Sequence, residues 1–453
     1  MSPEDFAPLP VLPGLAPDPE HLVPSLPEVH ASVGISQSPV TWRRLLGFLG
    51  PGFLISVGYM DPGNWATDIA GGSRFGYTLL FVIMASNLMA ILLQSLSLKL
   101  GVATERDLAQ VCHQSYGPRA SFVLWVGAEI AIAACDMAEV IGSAIALNLL
   151  FHIPLFYGVL ITGLDVLLIL LMQRWGFRYV EALVITLIGT IIAMFGVQLF
   201  LSRPEFGPVL RNLFIPSASI VTNPDMLYIA IGILGATVMP HNLYLHSSIV
   251  QSRRYKRTPE GKREAIFMSN IDSALALTVA LFVNAAILIV AAAVFHRSGH
   301  YEVAAIEDAY KLLSPLLGAA GASTLFAVAL LASGQNSSIT GTLAGQVVME
   351  GFIHIKLSPW LRRIITRSLA IIPTIIVVAI TGEQGTEKLL IFSQVILSLQ
   401  LSFAVVPLVM FTGSRKIMGE FVNARWLQVL AWLTAVLIAG LNVWLLIETA
   451  MGR

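Results

Sequence analysis

The sequence predicts an all-α membrane protein with eleven transmembrane helices, and its composition, its charge-free runs and the placement of its basic residues support this prediction. Of the 453 residues, 56% are hydrophobic and 12% are charged, whereas about 25% of residues are charged in soluble proteins. Residues 76–98 and 389–413 contain no Asp, Glu, Lys or Arg. About 20 apolar residues span a bilayer as a helix, whereas β-barrel strands alternate over about 10 residues.

Eleven hydrophobic segments follow residue 40, and we number them in chain order. Their limits are 45–70, 76–98, 120–148, 154–172, 181–201, 226–251, 270–295, 318–349, 365–381, 389–412 and 427–450. With a cytoplasmic N-terminus, 20 of the 27 Lys and Arg residues fall in cytoplasmic regions and 7 in outer regions. Cytoplasmic loops are enriched in Lys and Arg. This bias predicts a multi-pass protein of the cell inner (plasma) membrane with an extracytoplasmic C-terminus.

The chain before the first segment has a different composition. Residues 1–40 are rich in proline and lack helical periodicity, which predicts a disordered cytoplasmic tail. Residues 41–453 are then the transmembrane domain. The formal net charge is zero, so nothing favours nucleic-acid binding, and no obligate protein partner is evident.

Two segments carry a proline and polar residues at their centres. Segment 1 contains the string DPGN at 61–64, and segment 6 contains MPHN at 239–242. Proline removes a backbone donor and clashes with the preceding turn, so both helices are expected to unwind there. Breaks in segments 1 and 6 indicate a repeat of five segments. Because five is odd, the second copy must be inverted. The repeats cover 45–201 and 226–412, with an extra helix at 427–450.

Matched breaks in two halves of a membrane protein indicate a transporter binding site near the middle of the bilayer. One break alone is compatible with a proline that only kinks a packed helix. Two breaks at corresponding positions, each with polar side chains, favour the binding site.

The residue types at these breaks favour a transition metal. Asp61 is a carboxylate at membrane depth, where insertion costs about 2.5–3.5 kcal/mol and a functional partner is usual. Asn64 adds an oxygen, Met239 adds a thioether, and the break frees the carbonyl of Ala236 at a helix end that favours cations. Sulfur shifts preference from Mg²⁺ or Ca²⁺ towards Mn²⁺ or Fe²⁺. A methionine that only packs is the alternative for Met239.

The strings DPGN and MPHNLYLHS, in broken segments 1 and 6, resemble the signature motifs of the Nramp family of proton-coupled metal transporters. The resemblance extends over segments 1 to 10, and the eleven-segment plan is similar to the bacterial manganese-importing branch. It implies a LeuT-like fold. It also implies a set of metal ligands: Asp61, Asn64, Met239, the carbonyls of Ala236 and Gly58, and, in some conformations, Gln394. The magnesium-transporting relatives lack the Asp/Met pattern, so Mn²⁺ ranks above Mg²⁺.

Acidic residues of segment 3 suggest a route for protons. Glu129, Asp136 and Glu139 fall within about 80° of one another at 100° per residue, and acids on one side of a membrane helix rarely face lipid. They could form a relay, or they could pair with arginines that lock the bundle. Arg363 and Arg367, at the start of segment 9, are the candidate partners.

Two histidines in segment 6 are further candidates for the proton pathway. His241 lies inside the second break, where an imidazole could titrate or could instead support the unwound backbone through hydrogen bonds. His246 lies about 140° around the helix and need not share that path. The family resemblance supports a proton role for Asp61 and Asp136 more strongly than for His241.

The expected function is therefore proton-coupled import of a divalent transition metal, Mn²⁺ before Fe²⁺, by alternating access. The metal is a transported substrate, and no cofactor is expected. A sodium/organic-solute symporter is the main alternative, but Asp61 would repel a substrate carboxylate. A passive metal channel is a second alternative that the sequence does not exclude. An intramembrane enzyme is disfavoured because no HExxH motif or nucleophile–base pair occurs, and the missing Walker motif disfavours ATP-driven transport.

Overall fold

The computed structural model describes residues 24–36, 41–164, 175–303, 305–353, 359–381 and 386–450. These residues are almost entirely helical, so the all-α prediction is confirmed. In this part of the chain, seven helices are long and apolar enough to cross a membrane. Each predicted segment contains helix, and the number of eleven crossings stays a prediction.

The first half of the chain begins with a short helix, Thr41–Phe48, and then enters segment 1. Segment 1 consists of an α-helix at Pro51–Ser56, a 3-10 helix at Val57–Met60 and an α-helix at Pro62–Phe75. Among the described residues of this half, the remaining helices are Leu80–Thr104, Leu108–Ser115, Pro118–Phe151, Leu155–Thr162 and Phe177–Ser202. Most of the second half of segment 4 lies outside the described residues.

The second half begins with two connecting helices, Phe206–Phe214 and Ser219–Thr222. Segment 6 consists of Pro224–Thr237, Pro240–Ile249 and a 3-10 turn at Val250–Ser252. The later helices are Pro259–Ala291, which continues as a π-helical turn at Ala292–His296, then Ile306–Leu317, Ala322–Ile353, Pro359–Thr381, Thr386–Thr412, Arg415–Met418, Gly419–Phe421 (3-10) and Arg425–Ala450.

Both predicted breaks are present. In segment 1 the helix stops at Met60 and restarts at Pro62, and Asp61 between them has extended backbone (φ −69°, ψ 165°). In segment 6 the helix stops at Thr237, and Met239 is extended before the restart (φ −82°, ψ 127°). Each proline occupies the first position of a new helix, where its missing N–H leaves no hydrogen bond unmade.

A buried ionic network holds the beginning of segment 1. Gly50 has a φ of 138°, a conformation that favours glycine. The carboxylate of Asp272 accepts hydrogen bonds from the backbone N–H groups of Gly50 (3.2 Å) and Gly52 (2.6 Å). Arg253 and Glu181, both buried, form an ion pair at 2.8 Å close by. The network joins segment 1 to segments 5 and 7 and to Arg253, which directly follows segment 6.

Residues 24–36 differ from the expected disordered tail, because they pack on the transmembrane domain. The backbone N–H of Leu26 donates to the carboxylate of Glu350 at 2.8 Å. Strand Val33–Gly34 (β1) pairs in parallel with strand Arg253–Arg254 (β2). Leu26, Val29 and Val33 are buried in the main hydrophobic core. These apolar side chains outweigh the proline-rich composition on which the prediction rested. The other residues of the predicted tail, 1–23 and 37–40, lie outside the described residues.

Candidate metal site between the broken helices

Three oxygen atoms converge on the side-chain nitrogen of Asn64. They are Oδ1 of Asp61 at 2.6 Å, the carbonyl of Ala236 at 3.0 Å and the carbonyl of Gly58 at 3.5 Å. Asp61, Asn64 and Ala236 are buried. A donor N–H group therefore occupies a point at which a cation would meet the same oxygens. If the Asn64 side chain moved off this point and turned its Oδ1 towards it, a cation would have room there and a fourth oxygen as a ligand.

The two breaks create this arrangement. Asp61 caps the helix Pro62–Phe75, because its Oδ1 also accepts from the backbone N–H of Asn64 at 2.9 Å. Ala236 lies in the last turn of the helix Pro224–Thr237, where carbonyls lack partners within the helix. The C-terminal end of a helix carries partial negative charge, which favours a cation.

Gln394 of segment 10 lies beside Asp61. A Cβ added to Gly63 would lie 1.8 Å from Nε2 of Gln394 and 3.0 Å from Oδ2 of Asp61, so Gly63 makes room for both side chains. Oδ2 of Asp61 and Oε1 of Gln394 are buried and make no hydrogen bond among the described residues. Leaving a buried acceptor unsatisfied costs about 1–3 kcal/mol. A cation between these oxygens would remove that cost.

Met239 is buried at the second break. Its apolar neighbours are Ala131 and Cys135 of segment 3 and Leu397 of segment 10. The Met239 side chain therefore packs against the same two segments that carry the acids and Gln394, and its binding of metal stays a prediction.

Two of the three acids of segment 3 lie together. Asp136 and Glu139 are buried, and both face Gly341 of segment 8, where an added Cβ would lie 2.3 Å from Asp136 Oδ1 and 3.2 Å from Glu139 Oε2. Glu129 lies two helical turns earlier and accepts a hydrogen bond from Nε1 of Trp125 at 3.0 Å. The side chains of Arg363 and Arg367 lie outside the described part of the chain, so that pairing stays a prediction.

The two histidines of segment 6 have different surroundings. Nε2 of His241 lies 3.8 Å from the thiol of Cys135, which in turn lies 3.5 Å from Oε1 of Glu139. Cys135 thus connects the second break to the acids of segment 3. His246 instead contacts Oε1 of Gln94 in segment 2 at 2.8 Å. The two imidazoles thus contact different segments, and their place in a proton path stays a prediction.

Comparison with known proteins places the chain in a family. Residues 52–448 match the family model described as Nramp, natural resistance-associated macrophage protein-like. The chain belongs to the Nramp family. The resemblance predicted from DPGN and MPHNLYLHS is therefore confirmed.

Close relatives of this Nramp protein are named as transporters. It is 62% identical over 429 residues to the divalent metal cation transporter MntH of Nostoc sp., covering 95% of this chain and 97% of the relative. It is also 62% identical over 426 residues to the protein of that name from Listeria innocua, covering 94% and 95%. These names agree with the expectation of a transporter rather than an enzyme, and with an integral membrane protein.

Solved structures support the fold of the Nramp chain. An Eremococcus coleocola manganese transporter, in complex with an aromatic bis-isothiourea substituted compound, matches with a TM-score of 0.86 and 46% identity over 92% of this chain and 90% of its own. Mhp1, a nucleobase-cation-symport-1 family transporter, matches with a TM-score of 0.62 at 15% identity, covering 93% of each chain. The second match concerns the fold alone, and the predicted LeuT-like architecture is confirmed.

Sequence reasoning missed several polar residues around the Nramp site. Nδ2 of Asn284, in segment 7, donates to the carbonyl of Tyr59 at 2.7 Å and lies 3.4 Å from Oδ1 of Asn64. Nε2 of Gln94 donates to the hydroxyl of Tyr59 at 2.7 Å. The signal was available, because Asn284 and Gln94 are amides within otherwise apolar segments.

Asp68 is a further buried acid that the motif analysis passed over. It lies seven residues after Asp61, which places it about 20° away on the same helix face and about 10 Å further along. Its side chain is 1% exposed, and Oδ2 makes no hydrogen bond among the described residues.

Proposed function

We propose that this Nramp protein imports divalent transition metal ions, Mn²⁺ foremost and Fe²⁺ as well, together with protons. The observation that carries the proposal is the convergence of Asp61 Oδ1 and the carbonyls of Ala236 and Gly58 on one buried point. The relatives named MntH and the manganese transporter of Eremococcus coleocola favour the same class of substrate.

The proposed ligands combine hard and soft donors. Asp61, Asn64, Gly58 and Ala236 supply oxygen atoms, and Gln394 lies close enough to Asp61 to add another. Met239 holds the position in the second break that Asp61 holds in the first. It would therefore supply a sulfur ligand from the opposite side of the site. Oxygen alone suits Mg²⁺ and Ca²⁺, whereas a thioether favours transition metals. The mixture would therefore select Mn²⁺ or Fe²⁺ against the more abundant hard cations.

Protons would use the acids of segment 3. In this proposal Asp61 loses its proton when the metal binds, and Asp136 and Glu139 carry it towards the cytoplasm, with Glu129 further along the same helix. His241 connects to these acids through Cys135. His246 would act through Gln94, and Arg363 or Arg367 would balance the charge of the acids.

Transport would proceed by alternating access in the plasma membrane, with the N-terminus in the cytoplasm and the C-terminus outside. The domain of 41–453 would contain the inverted repeats 45–201 and 226–412 and the extra helix 427–450, and it would need no cofactor and no obligate protein partner. The two repeats would rock around the fixed site. A membrane potential, negative inside, favours entry by about 2.3 kcal/mol per charge per 100 mV.

The test is uptake by the purified protein in proteoliposomes. Mn²⁺ entry and lumenal pH are followed together, with Mg²⁺ and Ca²⁺ as competitors, for the native protein, Asp61→Ala and Met239→Ala. We expect native protein to acidify the lumen as Mn²⁺ enters, Asp61→Ala to abolish uptake, and Met239→Ala to let Mg²⁺ or Ca²⁺ compete. Mn²⁺ uptake that persists without Asp61 would contradict the assigned site. Uptake without a pH change, together with a linear rather than saturable dependence on Mn²⁺, would favour a passive channel.

A further inference from the structure

The two breaks present matched sets of residues. Asn242 follows Met239 by three positions, as Asn64 follows Asp61 by three positions. The carbonyl-bearing residues Gly58 and Ala236 each precede their break residue by three positions. The inverted repeat therefore relates Asn242 to Asn64, and the proposed ligand set includes only one of these two asparagines.

Each asparagine contacts the opposite broken helix at the corresponding residue. The amide of Asn64, in segment 1, donates to the carbonyl of Ala236 in segment 6. The amide of Asn242, in segment 6, packs on Gly58 in segment 1. A Cβ added to Gly58 would lie 2.3 Å from Nδ2 and 3.3 Å from Oδ1 of Asn242. Glycine at position 58 thus leaves the space that the amide of Asn242 fills.

The amide of Asn242 is unsatisfied in this state. The side chain is fully buried, and neither Nδ2 nor Oδ1 makes a hydrogen bond among the described residues. Buried side-chain amides nearly always find a partner, and an apolar residue of similar shape would avoid the cost of burying an unpaired amide. A polar partner that is bound only during transport would account for an asparagine here.

We propose that Asn242 is a further metal-contacting residue, and that its amide oxygen binds the transported divalent cation when the site opens to the opposite side of the membrane. This inference rests on the proposed function. Because the repeats are inverted copies, the opposite-facing state brings each repeat towards the conformation that the other has now. Asn242 then lies beside the carbonyl of Gly58 as Asn64 now lies beside the carbonyl of Ala236, and its amide oxygen and that carbonyl both bind the metal.

The chemistry of the added donor predicts its effect on selectivity. An amide oxygen is a hard ligand, so it favours Mn²⁺ over a softer cation such as Cd²⁺, which Met239 would hold well without it. Loss of Asn242 is therefore expected to change the ratio of the two affinities, which a merely structural role would leave unchanged.

The experiment compares Mn²⁺ and Cd²⁺ binding to the purified full-length protein by titration calorimetry. Asn242→Leu keeps the shape of the side chain and removes its oxygen. Asn336→Leu is the matched control, because Asn336 is also buried but donates to the carbonyl of Val184 in segment 5. We expect Asn242→Leu to weaken Mn²⁺ binding about tenfold, a change of about 1.4 kcal/mol, and Cd²⁺ binding less than about twofold. Asn336→Leu should change neither the two metal affinities nor the ratio between them.

A second variant keeps the inference testable if Asn242→Leu does not fold. Asn242→Ala removes the amide with a smaller side chain that cannot crowd Gly58, so the Mn²⁺/Cd²⁺ affinity ratio should fall in the same direction. Unchanged Mn²⁺ affinity in a folded variant, or equal losses for both metals, would overturn the role of Asn242. Native protein that binds no Mn²⁺ would instead contradict the proposed function itself.

Discussion

Oδ2 of Asp272, in segment 7, lies 2.6 Å from the backbone nitrogen of Gly52, at the beginning of segment 1. The same carboxylate accepts from Gly50 at 3.2 Å. It therefore satisfies two N–H groups that the first turn of a helix leaves without partners. Segment 7 thus fixes the N-terminal end of the first broken helix, about two and a half helical turns before the candidate metal site.

Removal of this carboxylate should destabilise the protein. We expect Asp272→Ala to reduce the free energy of unfolding by about 3 kcal/mol, because it leaves two buried N–H groups unpaired and removes a charge near Arg253. The measurement is the midpoint of thermal unfolding, followed by loss of the monodisperse peak in size-exclusion chromatography. Asp225→Ala, at an exposed helix start, is the control. Equal midpoints for the two variants would disprove a capping role.

A methyl group at Gly63 should move the side chain of Gln394 away from Asp61. A Cβ at this position would lie 1.8 Å from Nε2 of Gln394, so Gly63→Ala must displace Gln394 and disturb Oδ2 of Asp61. We expect Mn²⁺ uptake in proteoliposomes to fall by at least about tenfold, the change that about 1.4 kcal/mol of lost binding produces. Gly189→Ala, in segment 5, has nothing within 4 Å of the new methyl group and should transport normally. Normal transport by Gly63→Ala would show that Gln394 need not lie beside Asp61.

The packing of residues 24–36 should depend on pH through His30. Burial and the neighbouring charge of Arg257 lower the pKa of His30 to about 4 from its usual 6.5, while the charge of Glu105 acts in the opposite direction. The packed segment therefore prefers neutral His30. The contribution of neutral His30 to the stability of the packed segment is fully present above pH 6.5 and is lost progressively as the pH falls from 6.5 towards 4.

Hydrogen exchange of residues 24–36 measures this dependence. After correction for the intrinsic exchange rate, we expect faster exchange at pH 5.5 than at pH 7.5 in the native protein. His30→Gln keeps a polar side chain but cannot be protonated, so the difference should disappear. A difference that persists in His30→Gln would assign the pH dependence to another group.

The apolar anchor of the same segment should matter at every pH. Leu26 is 1% exposed in the main core, so Leu26→Asp would bury an unpaired carboxylate and should release the segment. We expect increased exchange throughout residues 24–36 at pH 7.5. Slow exchange in Leu26→Asp would show that β1 pairing with β2 is sufficient to hold the segment.

The sequence predicted the features that have strong local causes. Pro62 and Pro240 lack a backbone N–H and each begins a new helix, so both breaks are where the motifs place them. The approach of Asp61, Asn64 and Ala236 follows from the two breaks facing each other. These relationships depend on helix geometry and on repeat symmetry, which can be read from residue spacing.

Contacts between distant segments were harder to predict from the sequence. Gln94 and Asn284 are amides in apolar segments, but their bonds to Tyr59 depend on how segments 2 and 7 are placed against segment 1. The order of residues 24–36 depends on Leu26 meeting a complementary surface that composition does not reveal. Neither partner can be identified without the tertiary arrangement.

The side-chain N–H group of Asn64 lies among three oxygen atoms, and this has a consequence for the site when no metal is bound. In the proposed alternating-access cycle the site turns back to the outside without metal, and oxygen atoms that face one another there would repel each other and attract water. The amide nitrogen of Asn64 offers them a partial positive charge from within the protein. In the proposed cycle, the Asn64 side chain would thus be a ligand when the metal is bound and would replace the metal's positive charge when the site is empty.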